Sequence, residues 1–182
     1  MNVQQLKEEL KNVGGESYST KGRRNPIRDD TGAALSSIVA LAPKGAVLEL
    51  GTAYGLSMCW LYAGDPRRRF YTVEFDKRTA QQAQSNFTRA GMNVTVWAAD
   101  AGQVAKNWQW GKIGVLFLDH EKRLYLPHYE LVKKHLIRGA IVIADNVLDR
   151  SEECAPFMAQ IKKDAKKATV IQTECGLLVA KL

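Results

Sequence analysis

Short apolar runs alternate with amphipathic segments along most of the chain. The apolar runs, each of the length of a buried strand, lie at 46–50, 70–75, 94–98, 113–118, 140–144, 169–173 and 177–181. The segments between them have the length of crossover helices and lie at 56–64, 77–91, 100–108, 122–136 and 151–167. Strands that alternate with helices are typical of a doubly wound, mostly parallel sheet. The pattern therefore predicts one α/β domain with seven strands.

The last two predicted strands depart from the parallel arrangement. Only the three residues 174–176 separate them, which is too short for a parallel crossover and suits a hairpin. We therefore expect the final strand to run antiparallel to its neighbours. For the helix predicted at 77–91, Asp76 is the expected N-cap and Gly91 the expected C-cap.

The first 30 residues are predicted to form a segment distinct from the main domain. We expect a helix followed by a loop that covers the ligand, and we expect residues 31–182 to form the main domain. This region contains no apolar core typical of a signal peptide, and no run in the chain approaches the ~20 apolar residues of a membrane span. The three cysteines are widely spaced, which favours a reducing compartment. We expect a cytoplasmic protein.

The net charge of +7 favours anionic partners, acidic substrates or nucleic acid. The basic residues occur in short clusters, which solvated helix faces and loops explain more simply. The sequence contains no aromatic residues interleaved with these clusters as in nucleic-acid-binding motifs. A small-molecule substrate is therefore preferred, and nucleic acid is kept as an alternative.

Acidic and amide side chains follow two of the apolar runs. Asp119 follows the run at 113–118, and Asp145 and Asn146 follow the run at 140–144. Each residue by itself could be a helix cap, since Asp and Asn cap helices well. Because parallel strands present their carboxyl ends at one edge of a sheet, we expect all three to converge there. Three oxygen donors of this kind suit Mg²⁺ or Ca²⁺.

A glycine turn joins the first predicted strand to the helix after it. The segment 47–57 reads VLELGTAYGLS and places Gly51 and Gly55 in the turn. The dinucleotide fingerprint G-x-G-x-x-G is absent. Glu49 would repel a pyrophosphate, but it would attract an amine-bearing ligand such as S-adenosylmethionine. Glu74 ends the second strand, about 20 residues farther on, where an acid can accept ribose hydroxyl protons.

Three further positions complete the predicted pocket. Asp100, or its neighbour Ala101, follows the third strand and can read an adenine edge. His120 could ligate a metal, but we assign it to the wall beside the cofactor. Lys122 is either a surface lysine or a general base, because a neighbouring cation favours the neutral amine that accepts a proton.

Four segments resemble the metal-dependent class I O-methyltransferases, and most closely the catechol O-methyltransferase group. They are 47–57 (VLELGTAYGLS), 71–91 around Glu74, 116–127 (LFLDHEKRLYLP) and 143–147 (IADNV). The resemblance implies a three-layer αβα Rossmann-like methyltransferase fold. It also implies transfer of a methyl group from S-adenosylmethionine to a hydroxyl of a catechol-type small molecule, with Mg²⁺ bound.

The resemblance also implies roles for single residues. It makes Asp119, Asp145 and Asn146 the Mg²⁺ ligands and Lys122 the general base. The residues implied to contact the cofactor are Ile27 in the covering loop, Glu49, Gly51, Ala53 and Ser57 near the methionine part, Glu74 at the ribose and His120 beside the adenine. Asp100, Ala101 and Asp119 are also expected to bind the cofactor.

Three features of the sequence depart from the family pattern. Glu121 stands where the family has an aromatic residue after the histidine. The hairpin before the last strand is short, and Glu174 is the candidate replacement for a carboxylate that binds the second catechol hydroxyl. The loop at 21–30 lacks the expected apolar and aromatic residues. These changes predict an acceptor pocket that is more open and more polar than in the family.

Other functions fit parts of the sequence. A methyltransferase acting on a hydroxylated tRNA nucleoside would use the same fold and the positive charge. A non-catalytic S-adenosylmethionine-binding protein would not need the combination of Asp119, Lys122, Asp145 and Asn146. A dehydrogenase is disfavoured by the glycine spacing. The oligomeric state is left open.

Overall fold

A computed structural model describes residues 27–182 of the chain. The α-helices are α1 (Asp29–Leu41), α2 (Leu56–Gly64), α3 (Lys77–Arg89), α4 (Ala101–Lys106), α5 (Tyr125–Val132) and α6 (Ser151–Asp164). The strands are β1 (Ala46–Leu50), β2 (Phe70–Glu74), β3 (Val94–Ala98), β4 (Ile113–Leu118), β5 (Leu136–Ala144), β6 (Lys167–Ile171) and β7 (Leu177–Lys181).

The seven strands form one sheet in the order β3-β2-β1-β4-β5-β7-β6. Strands β1 to β5 pair in parallel, and β7 runs antiparallel to both β5 and β6. The predicted α/β fold, with seven strands and an antiparallel last strand, is confirmed. The order changes direction at β1, and β1 and β4 are neighbours at this switch point, where ligands bind in open α/β sheets.

The sheet separates two apolar clusters, because successive side chains of a strand point to opposite faces. Leu48 of β1 belongs to the cluster that contains Tyr125 of α5. Its neighbour Val47 belongs to the cluster that contains Phe87 of α3. All five residues of β1 are buried, as expected for a central strand of a parallel sheet. None of the helices within 27–182 is both long and apolar enough to cross a membrane.

The single helix predicted at 122–136 is wrong. Residues 122–124 form a 3₁₀ turn, α5 covers only Tyr125–Val132, and a second 3₁₀ turn precedes β5. Pro127 is tolerated in the first turn of α5, but its ring would clash with the carbonyl four residues earlier in a longer helix. At the other end, Leu136 pairs with Ile113 and already belongs to the sheet.

Other boundaries differ by a few residues. Strand β6 begins at Lys167, two residues before the predicted run at 169–173. Helix α6 ends at Asp164, earlier than the predicted end at 167. Asp76 caps α3 as predicted, because its side chain accepts a hydrogen bond from Thr79 N at 2.8 Å. The C-cap itself is Ala90, and Gly91 follows with φ +66°. Helix α1 was not predicted, and the expected N-terminal helix and most of the covering loop lie outside the described residues.

Candidate functional site

A large cavity of about 1140 Å³ opens at the carboxyl ends of β1, β2, β4 and β5. Of the predicted site residues, those that line it are Ile27, Gly51, Ala53, Ser57, Glu74, Asp100, Ala101, Asp119, His120, Lys122, Asp145 and Asn146. The convergence expected from the ends of parallel strands is therefore present. Glu49 is the one predicted site residue that does not line this cavity.

The turn after β1 depends on glycine at its first position. Gly51 has φ +100°, and a Cβ placed on it would lie 2.5 Å from the carbonyl oxygen of Asp119. Ala53 also has positive φ, at +47°. The Ala53 N–H donates to Glu74 Oε2 at 2.9 Å. The turn thus brings the backbone of β1 against the end of β4 and ties it to the end of β2.

Glu74 is held in one orientation by two backbone donors. Besides Ala53 N, the N–H of Asp76 donates to its other oxygen at 3.1 Å. A carboxylate fixed in this way keeps unused lone pairs that can accept hydroxyl hydrogen bonds from a ligand. Phe75, the next residue, is 80% exposed and lines the cavity. Sequence reasoning missed Phe75 because the apolar run includes it as its last residue.

Glu49 lies behind the cavity wall. Its side chain is fully buried and accepts hydrogen bonds of 2.6 Å from both Ser57 Oγ and Thr72 Oγ1. Burial raises the pKa of Glu49 to about 8, and the charges of Asp119 and Glu74 act in the same direction. Ser57 stands between Glu49 and the cavity. The predicted contact of Glu49 with an amino group stays a prediction.

One end of the cavity combines a helix start with two histidines. Asp100 caps α4 by accepting from Gln103 N at 2.8 Å, and Ala101 is the first residue of that helix. His120 Nε2 lies 2.8 Å from His128 Nδ1. Burial, and then the charges of His128 and Lys122, lower the pKa of His120 to about 3. His128 was not predicted as a site residue, and only its position eight residues after His120 on the following helix could have suggested it.

The other end of the cavity holds the predicted metal ligands and the predicted base. Lys122 Nζ donates to Asp119 Oδ1 at 2.9 Å, and both side chains are largely buried. Burial raises the pKa of Asp145 to about 6, and the negative charge of Asp119 raises it further. Asn146 follows directly and has φ +62°, a left-handed conformation that asparagine tolerates better than most residues.

The donor set fits a hard divalent cation. Asp119, Asp145 and Asn146 offer carboxylate and amide oxygens, which Mg²⁺ prefers. The mutual repulsion of the two carboxylates is the kind that a bound cation relieves. Within residues 27–182, no three His, Cys, Asp or Glu side chains form a metal-binding group, so the third protein ligand would have to be the amide of Asn146.

The mouth of the cavity beyond these ligands is highly charged. Arg28 donates to Glu174 Oε2 at 2.6 Å, which joins the residue before α1 to the turn between β6 and β7. Arg150 donates to Glu153 at 3.2 Å. Asp149 lies close by and is also part of the lining. Glu174 therefore lines the cavity, and its role at an acceptor stays a prediction.

Comparison with known proteins places residues 48–147 in a family described as "Methyltransferase domain". A probable O-methyltransferase of Mycobacterium tuberculosis is 30% identical over 133 residues, which cover 66% of this chain and 57% of the relative. A catechol O-methyltransferase of the same organism is 31% identical over 105 residues, which cover 56% of this chain and 48% of the relative. The chain thus spans about half the length of these curated relatives.

Solved structures share the whole fold. An O-methyltransferase from Bacillus cereus, in complex with SAH, superposes with a TM-score of 0.81 at 25% identity. The superposition covers 98% of this chain and 90% of that protein. The O-methyltransferase TomG from Streptomyces achromogenes, in complex with SAM, has a TM-score of 0.80 at 21% identity, covers 97% and 88% of the two chains, and supports the fold alone.

Proposed function

The chain belongs to the methyltransferase-domain family, as its sequence resemblance predicted, and from this we propose that it is a Mg²⁺-dependent O-methyltransferase. The methyl group would pass from S-adenosylmethionine to a hydroxyl of a small molecule with two adjacent hydroxyls, a catechol-type acceptor. One observation carries the proposal: Asp119, Lys122, Asp145 and Asn146 line the same cavity as Glu74 and its neighbours. Relatives named O-methyltransferase and catechol O-methyltransferase support it.

The cofactor end offers complementary groups for the ribose and the base of S-adenosylmethionine. Glu74, fixed by two backbone donors, would accept from the ribose hydroxyls. The exposed ring of Phe75 offers a flat apolar face for the base. Asp100 and the start of α4 would meet the base edge. Bound there, S-adenosylmethionine supplies an electrophilic methyl group on a positively charged sulfur.

Asp119, Asp145 and Asn146 would hold the metal ion. When bound, Mg²⁺ supplies a Lewis acid that orients the two acceptor oxygens and lowers the pKa of the attacking hydroxyl. Asp119 would then bind both the metal ion and Lys122, because its Oδ1 also accepts a hydrogen bond from Lys122 Nζ. That hydrogen bond fixes the amine beside the donor set.

Lys122 would take the proton of the acceptor hydroxyl. Its amine lines the cavity, its side chain is 13% exposed, and it is anchored to the end of β4 through Asp119. In the reaction the oxygen–methyl bond forms as the methyl–sulfur bond breaks. The hydroxyl proton would pass to the Lys122 amine after that amine has lost its own proton, a loss that a cation held by Asp119, Asp145 and Asn146 would favour. Much of the rate would come from holding oxygen, methyl and sulfur in line.

The charge of the cavity favours this function over methylation of a tRNA nucleoside. Among residues 27–182, acidic side chains outnumber basic ones in its lining, with Glu74, Asp100, Asp119, Glu121, Asp145, Asp149, Glu153 and Glu174 against Arg28, Lys122 and Arg150. Phosphate groups would be repelled by this surface, although the whole chain carries +7. A small acceptor avoids that repulsion.

The test is methyl transfer to 3,4-dihydroxybenzoate with Mg²⁺, and again after addition of EDTA. We expect turnover that EDTA abolishes and that added Mg²⁺ restores. Asp145→Ala should abolish turnover while S-adenosylhomocysteine still binds in calorimetry. Turnover that persists in EDTA would refute the metal requirement. Absence of turnover with several catechols, in a protein that binds S-adenosylhomocysteine, would refute the catechol acceptor.

A further inference from the structure

We propose that His128 is a positioning residue of the cofactor site, which holds the ring of His120 in one plane and one tautomer beside the cofactor base. The inference rests on the proposed function, because it assumes that the end of the cavity near Asp100 receives the base. It assigns a role to His128, which the sequence alone did not single out.

The two rings form a tightly defined pair. His120 Nε2 and His128 Nδ1 are 2.8 Å apart, the ring centroids are 4.8 Å apart and the ring planes differ by 3°. His128 is 7% exposed and sits on α5, whose Tyr125 also contacts the His120 ring at 5.2 Å between centroids. His120 is thus held from α5 at two points, while it lines the cavity.

The surroundings select one tautomer for each ring. Among the described residues, His120 Nδ1 is buried without a hydrogen-bond partner. The backbone carbonyl groups of Leu50 and Leu124 lie near the ring, but neither is a hydrogen-bond partner of Nδ1. A buried N–H without a partner is rarer than a buried acceptor without one, so the proton of His120 belongs on Nε2, which donates to His128 Nδ1. His128 then carries its proton on Nε2.

The position of Asp100 agrees with this tautomer of His128. A Cβ placed on Gly102 would lie 2.9 Å from His128 Nε2 and 3.1 Å from Asp100 Oδ1, so both atoms border the same small space. A carboxylate attracts an N–H and repels a bare nitrogen lone pair. Asp100 thus lies on the Nε2 side of His128, while the Nδ1 side of that ring meets His120.

A fixed His120 ring also reduces the entropic cost of binding the cofactor. A ring of fixed plane presents its apolar face to the base without losing rotamer freedom when the ligand binds.

Two substitutions at His128 distinguish the effect of its hydrogen bond from the effect of its ring volume. His128→Phe keeps a flat ring but removes the nitrogen. His128→Asn places an amide oxygen near the position of Nδ1, where it can accept from His120 Nε2. We expect His128→Phe to weaken S-adenosylhomocysteine binding about tenfold in calorimetry, equivalent to one lost hydrogen bond. We expect His128→Asn to stay within about threefold of the unaltered protein.

Two further readouts distinguish positioning from a general structural role. In ¹⁵N-detected NMR of the histidine rings, His120 should be protonated on Nε2 in the unaltered protein and in His128→Asn, and should lose this fixed pattern in His128→Phe. The KM for S-adenosylmethionine should rise in His128→Phe while the KM for the acceptor stays unchanged.

Several outcomes would overturn the assignment. The first is an unchanged affinity for S-adenosylhomocysteine in His128→Phe. The second is an equal loss of that affinity in both variants while their melting temperatures match that of the unaltered protein. The third is a His120 proton on Nδ1 in the unaltered protein. The NMR result decides the point even if His128→Phe does not fold. An unaltered protein that binds no S-adenosylhomocysteine would instead overturn the proposed function together with this inference.

Discussion

The amine of Lys122 lies 2.9 Å from Oδ1 of Asp119, so the proposed base is ion-paired with a proposed metal ligand. Lys122 comes three positions after Asp119, and the 3₁₀ turn at Lys122–Leu124 brings the lysine back over the end of β4. Asp119 shows a raised pKa through burial, and Lys122 opposes that shift. The charged lysine thus partly neutralises the donor set, and a cation bound there would favour the neutral amine that the proposed base requires.

Lys122→Met should reduce turnover by ~10²–10⁴-fold and leave S-adenosylhomocysteine affinity unchanged, because a general base contributes to the chemical step and not to cofactor binding. Steady-state kinetics and calorimetry on the same preparation would check both parts. Lys134→Met, at an exposed position in the 3₁₀ turn before β5, is the matched control and should leave both values unchanged. Near-normal turnover of Lys122→Met would rule out the lysine as the base.

Phe75→Ala should weaken S-adenosylhomocysteine binding on the order of tenfold, since stacking of a base on an aromatic side chain contributes ~1–3 kcal/mol. The free energy of unfolding should change by less than about 0.5 kcal/mol, because this ring is 80% exposed. Leu41→Ala is the control: Leu41 is 88% exposed at the end of α1 and does not line the cavity. If both variants bind alike, Phe75 does not contact the base.

Glu49→Gln should stabilise the protein increasingly as the pH rises from about 4.5 to 8. The pKa of Glu49 is about 8 in the folded state against an ordinary value of 4.5. Between these values the folded state holds a proton that the unfolded chain has released, so the parent loses stability as the pH rises and levels off above pH 8. Because a tenfold change in an acid dissociation constant corresponds to about 1.4 kcal/mol, the difference between the two pKa values limits this loss to roughly 5 kcal/mol.

Thermal unfolding followed by circular dichroism at several pH values would measure this difference between parent and Glu49→Gln. Glu152→Gln, an exposed change in the first turn of α6, should show a difference from the parent that does not vary across this range. A Glu49→Gln difference that is equally independent of pH would show that Glu49 ionises normally in its buried position.

The Arg28–Glu174 ion pair should contribute little to stability in spite of its 2.6 Å distance. Its side chains are 63% and 67% exposed, and exposed pairs typically contribute less than about 1 kcal/mol. A double-mutant cycle with Arg28→Gln and Glu174→Gln would measure the coupling, which should vanish in about 1 M salt. A coupling that persists in high salt would contradict this expectation and would show that the pair is shielded from solvent.

The cavity could be predicted from sequence because its position follows from sheet topology. Asp119, Asp145 and Asn146 come together since parallel strands end at one edge, whatever their distance in sequence. Gly51 was likewise recognisable, because a glycine after the first strand implies close backbone approach. These predictions needed only the alternation of apolar runs and the residue that ends each run.

Other features depend on contacts between elements, which the pattern of apolar and polar residues does not specify. His128 reaches His120 from α5, and the eight-residue spacing alone does not specify that contact. Glu49 accepts a hydrogen bond from Thr72, a residue of the neighbouring strand that has no special sequence signal. Phe75 could be predicted as apolar, but its exposure depends on β2 ending at Glu74.

The place of β7 in the sheet has a consequence for the order of folding. Although β7 follows β6 along the chain, it lies between β5 and β6, so β6 has no partner until β7 is in place. During synthesis from the amino end, β5 would therefore wait with an open edge while residues 145–176 emerge. An unpaired edge of this kind invites pairing with other chains, so loss of the segment Leu177–Lys181 should lead to aggregation even though the cavity residues are all still present.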